Sequence, residues 1–333
     1  MMRATSIHRR TFLGAAALAC TTAGAQGLFS SSRPMSFIVP YPAGGPADVT
    51  ARQLDAPLSK VLGRTLVIDN VAGAGGSIGI QKLLAAPPDG QQLLIGTPSD
   101  VILSPLAMAS VKHRPEQLRM LGLASTGPLM LVSGPQLKAA TLEDVVVLAR
   151  KPQGAQANGL TYGSIGLGSL YHLVMEDFAI RAKLPLTHAP YKGVSPLVQD
   201  LMGGQVDLAI LPAAGNVVDL VLQGKLRAYA ITDTRRLDRL PAVPTFAEVL
   251  GYKDFVYEIW GGLFVPRTVP LDVAQRLNDA ISQAVQDAEF RRQIALGGAV
   301  AGSPMTLDDG ERMLTEQTAR YRRLAQAVKL VPQ

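Results

Sequence analysis

Short apolar runs alternate along this chain with segments whose apolar residues recur every three or four positions. The runs predict buried strands at residues 37–39, 66–68, 93–97, 129–132, 160–163, 186–191, 206–211 and 226–231. The segments between them have the periodicity of helices that pack on a core. Strands that alternate with helices indicate βαβ units and a parallel sheet, so the pattern predicts an α/β fold.

Several helix ends can also be placed from the sequence. One helix is predicted over residues 49–62. Four more are predicted to end at Leu84, Arg150, Ala182 and Met202. Thr141 and Thr306 each stand three positions before an aspartate, a pattern typical of a helix N-terminus. In the tail, one helix face is predicted from Val273, Leu277, Ile281 and Val285.

Glycine-rich or polar loops follow predicted strands at residues 40–48, 73–79 and 163–169. Ligands of parallel α/β sheets bind at the carboxyl ends of the strands, where such loops lie. Glycine lets backbone N–H groups approach a ligand, and a helix N-terminus adds about half a unit of positive charge. Several helix N-termini facing one cleft would therefore form an anion site without lysine or arginine.

These loops do not match the motifs of nucleotide-binding proteins. The segment from Gly73 begins like GxGxxG, but Ile78 occupies the position of the third glycine. The loop from Gly163 to Gly168 has its glycines in the wrong order, and no GxxxxGK[ST] segment is present. The sequence therefore gives little support to a dinucleotide or P-loop cofactor.

The first 25 residues predict an export signal that is removed from the mature protein. Arg9 and Arg10 precede an apolar stretch from Thr11 to Cys20, and a small-residue cleavage site ends at Ala25. The stretch is too short for a transmembrane helix. The arginine pair resembles a twin-arginine motif, and the general secretion route stays an alternative. Cys20 lies in a poor lipidation signal. Because the export signal is predicted to be removed, we expect a periplasmic protein.

Composition narrows the function classes further. The 333 residues suit two domains, and no apolar run reaches the roughly 18–20 residues that span a bilayer. Without Arg3, Arg9 and Arg10 of the signal, the chain has 29 basic and 26 acidic residues, and no basic run suggests nucleic-acid binding. Cys20 is the single cysteine, so the exported chain has neither a disulfide nor a cysteine nucleophile.

Catalytic chemistry finds little support in the sequence. His113 lies in a polar loop and is expected to be solvated, and His188 is expected to pack within a strand. His172 begins a helix after the loop at 164–169, so it could face the cleft. No GxSxG elbow and no cluster with metal-ligand spacing are found. We therefore predict a protein that is not an enzyme and has no metal.

Seven motifs in order resemble one family. Residues 40–48, PYPAGGPAD, resemble the PYPPGGPxD signature of the substrate-binding proteins of tripartite tricarboxylate transporters, the Bordetella-uptake-gene type. The others are GAGG with IG (73–79), PDG to GTPS (88–99), YGSIGLGS with HL (162–173), PYKG with GGQVD (190–207), GKLRA (224–228) and PAVPT (241–245). The resemblance extends from about residue 34 to the C-terminus.

The resemblance implies a two-lobed periplasmic binding protein fold, type II-like, with the ligand in the interdomain cleft. Lobe 1 would comprise residues 33–128 plus 258–333, and lobe 2 residues 129–257. A hinge motion would close the lobes on the ligand. The implied ligand is a small carboxylic acid and the implied partner is the membrane permease of such a transporter. No cofactor and no nucleic acid are implied, and we expect a monomer.

The resemblance also implies ligand-binding positions, loop by loop. Tyr41 would form a wall of the pocket. Gly44 and Gly45 would present N–H groups, and Asp48 is expected to brace the loop. Hydroxyl donors are expected at Ser77, Thr97 and Ser99. Lobe 2 would contribute Ser164, Gly166, Gly168, Ser169, His172, Tyr191 and Lys192. Each position also has a structural interpretation as a turn, a helix cap or an exposed lysine.

Three departures from the family pattern bear on the ligand. Leu211-Pro212 stand where many relatives carry Asp-Asn, Val71-Ala72 replace Arg-Pro, and Ser77 replaces a common Asn. Because Leu211 cannot neutralise an ammonium group, we hypothesise a carboxylate ligand without an amine and with an apolar or aromatic body. Two other functions stay open: a ligand sensor subunit for a signalling receptor, and a hydrolase on the same scaffold.

Overall fold

The computed structural model describes residues 33–151 and 159–332. The predicted signal peptide, residues 1–25, lies outside the described residues, and so do Arg9, Arg10 and Cys20. Within the described part of the chain, no helix has both the length and the apolarity needed to cross a membrane. The described residues from Pro34 onward form one compact unit, and the division into two lobes stays a prediction.

Ten strands of the described chain form one mixed sheet. They are β1 (Met35–Val39), β2 (Leu66–Asn70), β3 (Gln92–Gly96), β4 (Leu118–Ser133), β5 (Leu160–Ser164), β6 (Leu186–Pro190), β7 (Leu208–Pro212), β8 (Arg227–Ile231), β9 (Glu258–Pro266) and β10 (Val300–Ala301). Their order is β2-β1-β3-β9-β4-β7-β5-β6, and β8 and β10 also pair with β4.

Helices pack around this sheet and connect its strands. They are α1 (Pro46–Leu62), α2 (Ser77–Ala85), α3 (Ser104–Ala107), α4 (Leu142–Arg150), α5 (Leu170–Ala182), α6 (Val194–Gly203), α7 (Asn216–Leu222), α8 (Phe246–Leu250), α9 (Leu271–Ala284), α10 (Ala288–Leu296) and α11 (Leu307–Ala327). The two predicted N-caps are confirmed: Thr141 and Thr306 accept hydrogen bonds from the backbone N–H groups of Asp144 and Asp309. These side chains supply partners for N–H groups that the first helical turn leaves free.

Parallel pairing joins β1 to β2 and β3, and β5 to β6 and β7. The predicted parallel pairing is confirmed for these strands, whereas β4, β8, β9 and β10 pair antiparallel, so the sheet is mixed and not only parallel. Strand β9 and the first part of β4 were not predicted. Gly122, Gly127 and the Gly261-Gly262 pair interrupt the apolar runs there, so the strand pattern is weak.

The long strand β4 changes its partners within its own length. From Leu118 to Pro128 it pairs with β9, and from Leu129 to Ser133 it pairs with β7 and β8. This change falls at the lobe boundary predicted between residues 128 and 129. The strands β1, β3, β5 and β7 all end near this crossing, so their loops meet in one region.

Candidate ligand-binding site

A cavity opens where β1, β3, β5 and β7 end, beside the paired strands β4 and β9. Its cavity volume is about 90 Å³, on a measure by which one water needs about 10–15 Å³. It can therefore hold several waters or a small organic molecule, at the place that α/β sheets commonly use for ligands. Residues in its lining include Tyr41, Pro42, Gly45, Thr97, Ser125, Ile165, Tyr171, Val194, Pro212, Gly215 and Trp260.

The cavity wall is uncharged. None of the described residues that line it is Asp, Glu, Lys, Arg or His. Its polar side chains include Thr50 and Gln53 on α1, Thr126 on β4 and Gln293 on α10. The apolar wall includes Ile95, Ile165, Ile259, Trp260 and Ile294. The Thr126 hydroxyl donates a hydrogen bond to Glu258, whose exposed carboxylate lies outside the lining.

Two helices of more than two turns begin at this cavity. Helix α1 starts after Gly45 and helix α6 starts after Gly193, and glycine has no side chain that could accept a hydrogen bond from the first turn. The first residues of both helices, Pro46 and Val194, line the cavity. A helix N-terminus carries partial positive charge and unsatisfied N–H groups. Asp48 places a carboxylate in the first turn of α1, whereas the first turn of α6 has no acidic residue, so the N-terminus of α6 in particular favours an anionic group in the cavity.

Asp48 braces the loop that precedes α1, as expected from the sequence. Its carboxylate accepts hydrogen bonds from Gly44 N (2.8 Å), Arg52 Nε (2.9 Å) and Asn70 Nδ2 (3.0 Å). Burial acts to raise the pKa of Asp48, but the hydrogen bonds from Arg52, Gly44 and Asn70 outweigh it and lower that pKa. Because Gly44 donates its N–H group to Asp48, that group is engaged within the loop.

A buried carboxyl lies directly behind the cavity wall. Asp100 is fully buried in the π-helical turn Ser99–Leu103 and accepts hydrogen bonds at Oδ1 from Tyr41 Oη (2.7 Å), Thr97 N (2.8 Å) and the Thr97 hydroxyl. Its Oδ2 is buried and has no hydrogen-bond partner. Burial raises the pKa of Asp100 to about 6, and hydrogen bonds from Thr97 and Tyr41 oppose that rise. Burial and Asp100 also raise the pKa of Tyr41.

The loop at 164–169 engages a histidine pair outside the cavity lining. Ser164 Oγ lies 2.7 Å from His188 Nε2, and Gly168 N donates to His172 Nδ1 at 3.0 Å. The two imidazole rings are tilted by 31° with centroids 4.3 Å apart, and Tyr162 stacks on His188. Burial lowers the pKa of His172 and of His188 to about 4. Both histidines are therefore neutral near pH 7.

The pair of Ser164 and His188 has the composition of a nucleophile and its base, which sequence reasoning did not find. Ser164 is fully buried, however, and neither residue lines the cavity. A substrate carbonyl in the cavity thus has no access to the serine hydroxyl. The geometry is that of a packed polar cluster around Tyr162.

Of six other predicted positions, four make hydrogen bonds within the protein. Ser99 Oγ accepts a hydrogen bond from Leu170 N at the start of α5, whereas Ser77 Oγ is buried without a partner in the described chain. Tyr191 Oη donates to Asp200 at 2.8 Å, and Lys192 is exposed. Ser169 caps α5 by accepting a hydrogen bond from His172 N. Gly166 O accepts one from Ser169 N.

The structure thus places three predicted residues in the lining: Tyr41, Gly45 and Thr97. It places the others outside the lining: Gly44, Asp48, Ser77, Ser99, Ser164, Gly166, Gly168, Ser169, His172, Tyr191 and Lys192. Ligand contact stays a prediction for all of them. The solvated loop expected for His113 was wrong, because His113 is buried and its Nε2 lies 2.9 Å from Asp100 O. Leu211 is buried outside the lining, and Pro212 lines it instead.

Sequence reasoning missed the lining residues of α1, β4, β9 and α10. For α1 a signal was present: Ala47, Thr50 and Gln53 recur every three residues behind a recognised ligand loop, so they share one helix face. For Thr126 and Trp260 no signal was available, because their strands were not predicted. Gln293 lies on α10, which was also not predicted.

Comparison with known proteins decides the family. The model of the tripartite tricarboxylate transporter family receptor matches residues 50–330. The chain belongs to this receptor family. Its relative BugT of Bordetella pertussis is 36% identical over 272 residues, which cover 80% of this chain and 81% of BugT. The family resemblance drawn from the seven motifs is therefore confirmed.

Solved structures show the fold of this receptor. The periplasmic binding protein BugD is 26% identical, with a TM-score of 0.83 over 91% of this chain and 100% of BugD. The Rhodopseudomonas palustris protein Rpa4515, solved with adipate, is 28% identical, with a TM-score of 0.84 over 91% of this chain and 99% of Rpa4515. The predicted α/β periplasmic binding protein fold is confirmed, and so is the prediction that the receptor is a solute-binding protein and not an enzyme.

Proposed function

We propose that this receptor captures a small carboxylate in the cavity and delivers it to the membrane permease of a tripartite tricarboxylate-type transporter. The observation that carries the proposal is the cavity without charged lining residues at which α1 and α6 begin, each after a glycine, with no acidic residue in the first turn of α6. Such a site supplies N–H donors and partial positive charge to a carboxylate without a fixed cation. The adipate held by the similar Rpa4515 supports this ligand class.

We place the bound acid between two lobes. Lobe 1 is residues 33–128 plus 258–333, and lobe 2 is residues 129–257. The partner change of β4 at Pro128 and Leu129 supports this boundary, because the two ends of β4 belong to different strand groups. The cavity lining draws on both groups, with Tyr41 and Thr97 from one and Ile165 and Val194 from the other.

The wall chemistry favours an acid without an amine. An ammonium group that leaves water needs a carboxylate or several acceptors, and the described lining has no acidic side chain. The isoleucines and Trp260 suit an apolar or aromatic body. This proposal extends the sequence hypothesis based on Leu211, with the reason moved from that buried residue to the lining as a whole.

Calorimetric titration with matched acids tests both parts. Adipate, hexanoate and benzoate represent amine-free acids, and 2-aminoadipate differs from adipate by one ammonium group. We expect at least one amine-free acid to bind, and 2-aminoadipate to bind about 100-fold more weakly than adipate because its ammonium is left unpaired. Tight 2-aminoadipate binding would contradict the amine-free preference alone. If none of the four acids binds to protein shown to be empty by mass spectrometry after denaturation, the carboxylate function fails.

We also propose that residues 1–25 direct export to the periplasm and are then removed near Ala25. The family membership and the periplasmic relative BugD support this location. Mass spectrometry of the protein purified from a periplasmic extract should give a chain that begins near Gln26. A chain that retains Met1 would contradict cleavage.

A further inference from the structure

One buried acid near the cavity has no role in the function proposed so far. Asp100 is fully buried, and no ion pair joins it to any described cation. Its Oδ2 also lacks a hydrogen-bond partner. An isolated buried carboxylate is costly, so such a group favours its protonated form.

Asp100 is joined to the cavity by two residues of the wall. Tyr41 Oη donates to Asp100 Oδ1 at 2.7 Å, and Thr97 donates to the same oxygen from its backbone N–H at 2.8 Å. Both Tyr41 and Thr97 line the cavity. A negative charge on Asp100 is therefore separated from a bound anion by a single layer of side chains.

The remaining groups around Asp100 provide no compensating charge. Tyr171 of α5 lines the cavity, and its pKa is raised to well above the ordinary value by burial and by Asp100, so it stays neutral. His113 contacts the backbone oxygen of Asp100 and not the carboxyl, and burial lowers its pKa. From the side of α2, a Cβ at Gly76 would lie 2.5 Å from Asp100 Cβ, so backbone without charge fills that side.

We propose that Asp100 is a specificity-determining residue that couples occupancy of the cavity by a carboxylate to the uptake of a proton by its own carboxyl group. This proposal rests on the proposed carboxylate-binding function. Protonation of Asp100 removes the repulsion between its charge and the bound anion, which is only weakly screened in a dry interior. A proton on Oδ1 would in addition release the Tyr41 hydroxyl to donate toward the ligand.

Protonation of Asp100 and carboxylate binding should favour each other. The pKa of Asp100 is raised to about 6 in the structure, so an anion in the cavity should raise it further. Carboxylate binding is then strongest at pH 5.5, where Asp100 is mostly protonated, and weakens as the pH rises. We expect adipate binding to be about tenfold weaker at pH 8 than at pH 5.5. A ligand that presents a cation to Asp100 would show the opposite trend.

Adipate titrations at several pH values, with Asp100→Asn and a matched control, test the proposal. Asparagine keeps an oxygen for Tyr41 and Thr97 but carries no charge, so we expect Asp100→Asn to bind adipate as tightly at pH 8 as at pH 5.5. Asp207→Asn is the control. Asp207 Oδ2 likewise accepts two hydrogen bonds from one threonine, Thr161 (2.7 and 2.8 Å), but Asp207 is outside the cavity lining. It should keep the wild-type pH profile.

Calorimetry in two buffers of different ionisation enthalpy measures proton uptake directly. At pH 7 wild type should take up a fraction of a proton more than Asp100→Asn on binding adipate. The difference between the two proteins removes any contribution of adipate itself. Equal profiles for wild type and Asp100→Asn, or binding that strengthens with pH, would overturn the role of Asp100 and leave the receptor function intact. Failure of adipate, hexanoate and benzoate to bind either protein at any pH would instead contradict the carboxylate function, and this proposal with it.

Discussion

Two buried aspartates near the cavity should change the free energy of unfolding in opposite directions as the pH rises. The pKa of Asp100 is raised to about 6 by burial, whereas hydrogen bonds from Arg52, Gly44 and Asn70 lower the pKa of Asp48 despite its burial. An unfolded aspartate has a pKa of about 3.9. The folded state therefore holds the Asp100 proton more tightly than the unfolded state does, and the Asp48 proton less tightly.

Urea unfolding of Asp100→Asn and Asp48→Asn between pH 4 and pH 7 should reveal these signs without any ligand. Wild type should lose about 2 kcal/mol of stability relative to Asp100→Asn between pH 4 and pH 6, because the unfolded carboxyl ionises at lower pH than the folded one. Relative to Asp48→Asn, wild type should gain a little stability as the pH rises from 4, because most of the gain from a lowered pKa falls below the unfolded pKa of about 3.9. A flat difference for Asp100→Asn would mean that the Asp100 carboxyl has the same pKa in the folded and the unfolded state.

The helix pair α1 and α6 depends on one close contact between a glycine and a proline. A Cβ at Gly193, the N-cap of α6, would lie 2.8 Å from Cδ of Pro42 in the loop before α1. We expect Gly193→Ala to displace this loop and to weaken adipate binding about tenfold, since overpacking commonly costs about 1–3 kcal/mol. Isothermal titration with adipate measures the change.

The opposite end of α6 provides a control for that substitution. Gly203 is the last residue of the helix, and a Cβ there would meet nothing within 4 Å. Gly203→Ala should raise stability by about 0.5–1 kcal/mol through better helix propensity and leave adipate affinity unchanged. Equal affinity losses in both variants would indicate a general effect on α6 and not a contact between two helix N-termini.

At the scale of elements, the sequence predicted most of the strands and helices from β1 to β8. It missed β9 and the first part of β4, which pair with each other. Helix α4 was predictable because Thr141 and Asp144 mark its start and the pattern repeats to Arg150. Strand β9 was not, because Gly261-Gly262 interrupts its apolar run and the strand is held by pairing with β3 and β4. Long-range pairing of this kind leaves no local periodic signal.

The candidate site shows the same limit at the level of side chains. The loop at 40–48 led to Tyr41 and Gly45 of the lining, because a loop after a parallel strand has a predictable place. The loop at 164–169 comes after such a strand too, yet Ser164 and His172 turn into a packed cluster with Tyr162 and His188. Stacking partners that are distant in sequence decide that orientation, and a motif does not contain them.

At the scale of the whole molecule, the proposed lobes should close on the bound acid, and cysteine pairs can report this closure. The exported chain has no cysteine if the predicted cleavage near Ala25 removes Cys20. A Cβ at Gly45 would lie 3.8 Å from Ser195 Oγ, so Gly45→Cys and Ser195→Cys place two thiols across the proposed lobe boundary within reach of a disulfide. We expect adipate to speed their oxidation about threefold or more, because it favours the closed state.

A second pair, Thr161→Cys with Asp207→Cys, lies within lobe 2, where the native side chains are joined at 2.8 Å. Its oxidation rate, followed by thiol titration, should not change with adipate. Once oxidised, the Gly45 and Ser195 pair should slow adipate release, since the closed form cannot open around it, and reduction should restore release. Equal oxidation rates with and without adipate, in a variant that still binds adipate, would show that capture does not require the two lobes to move.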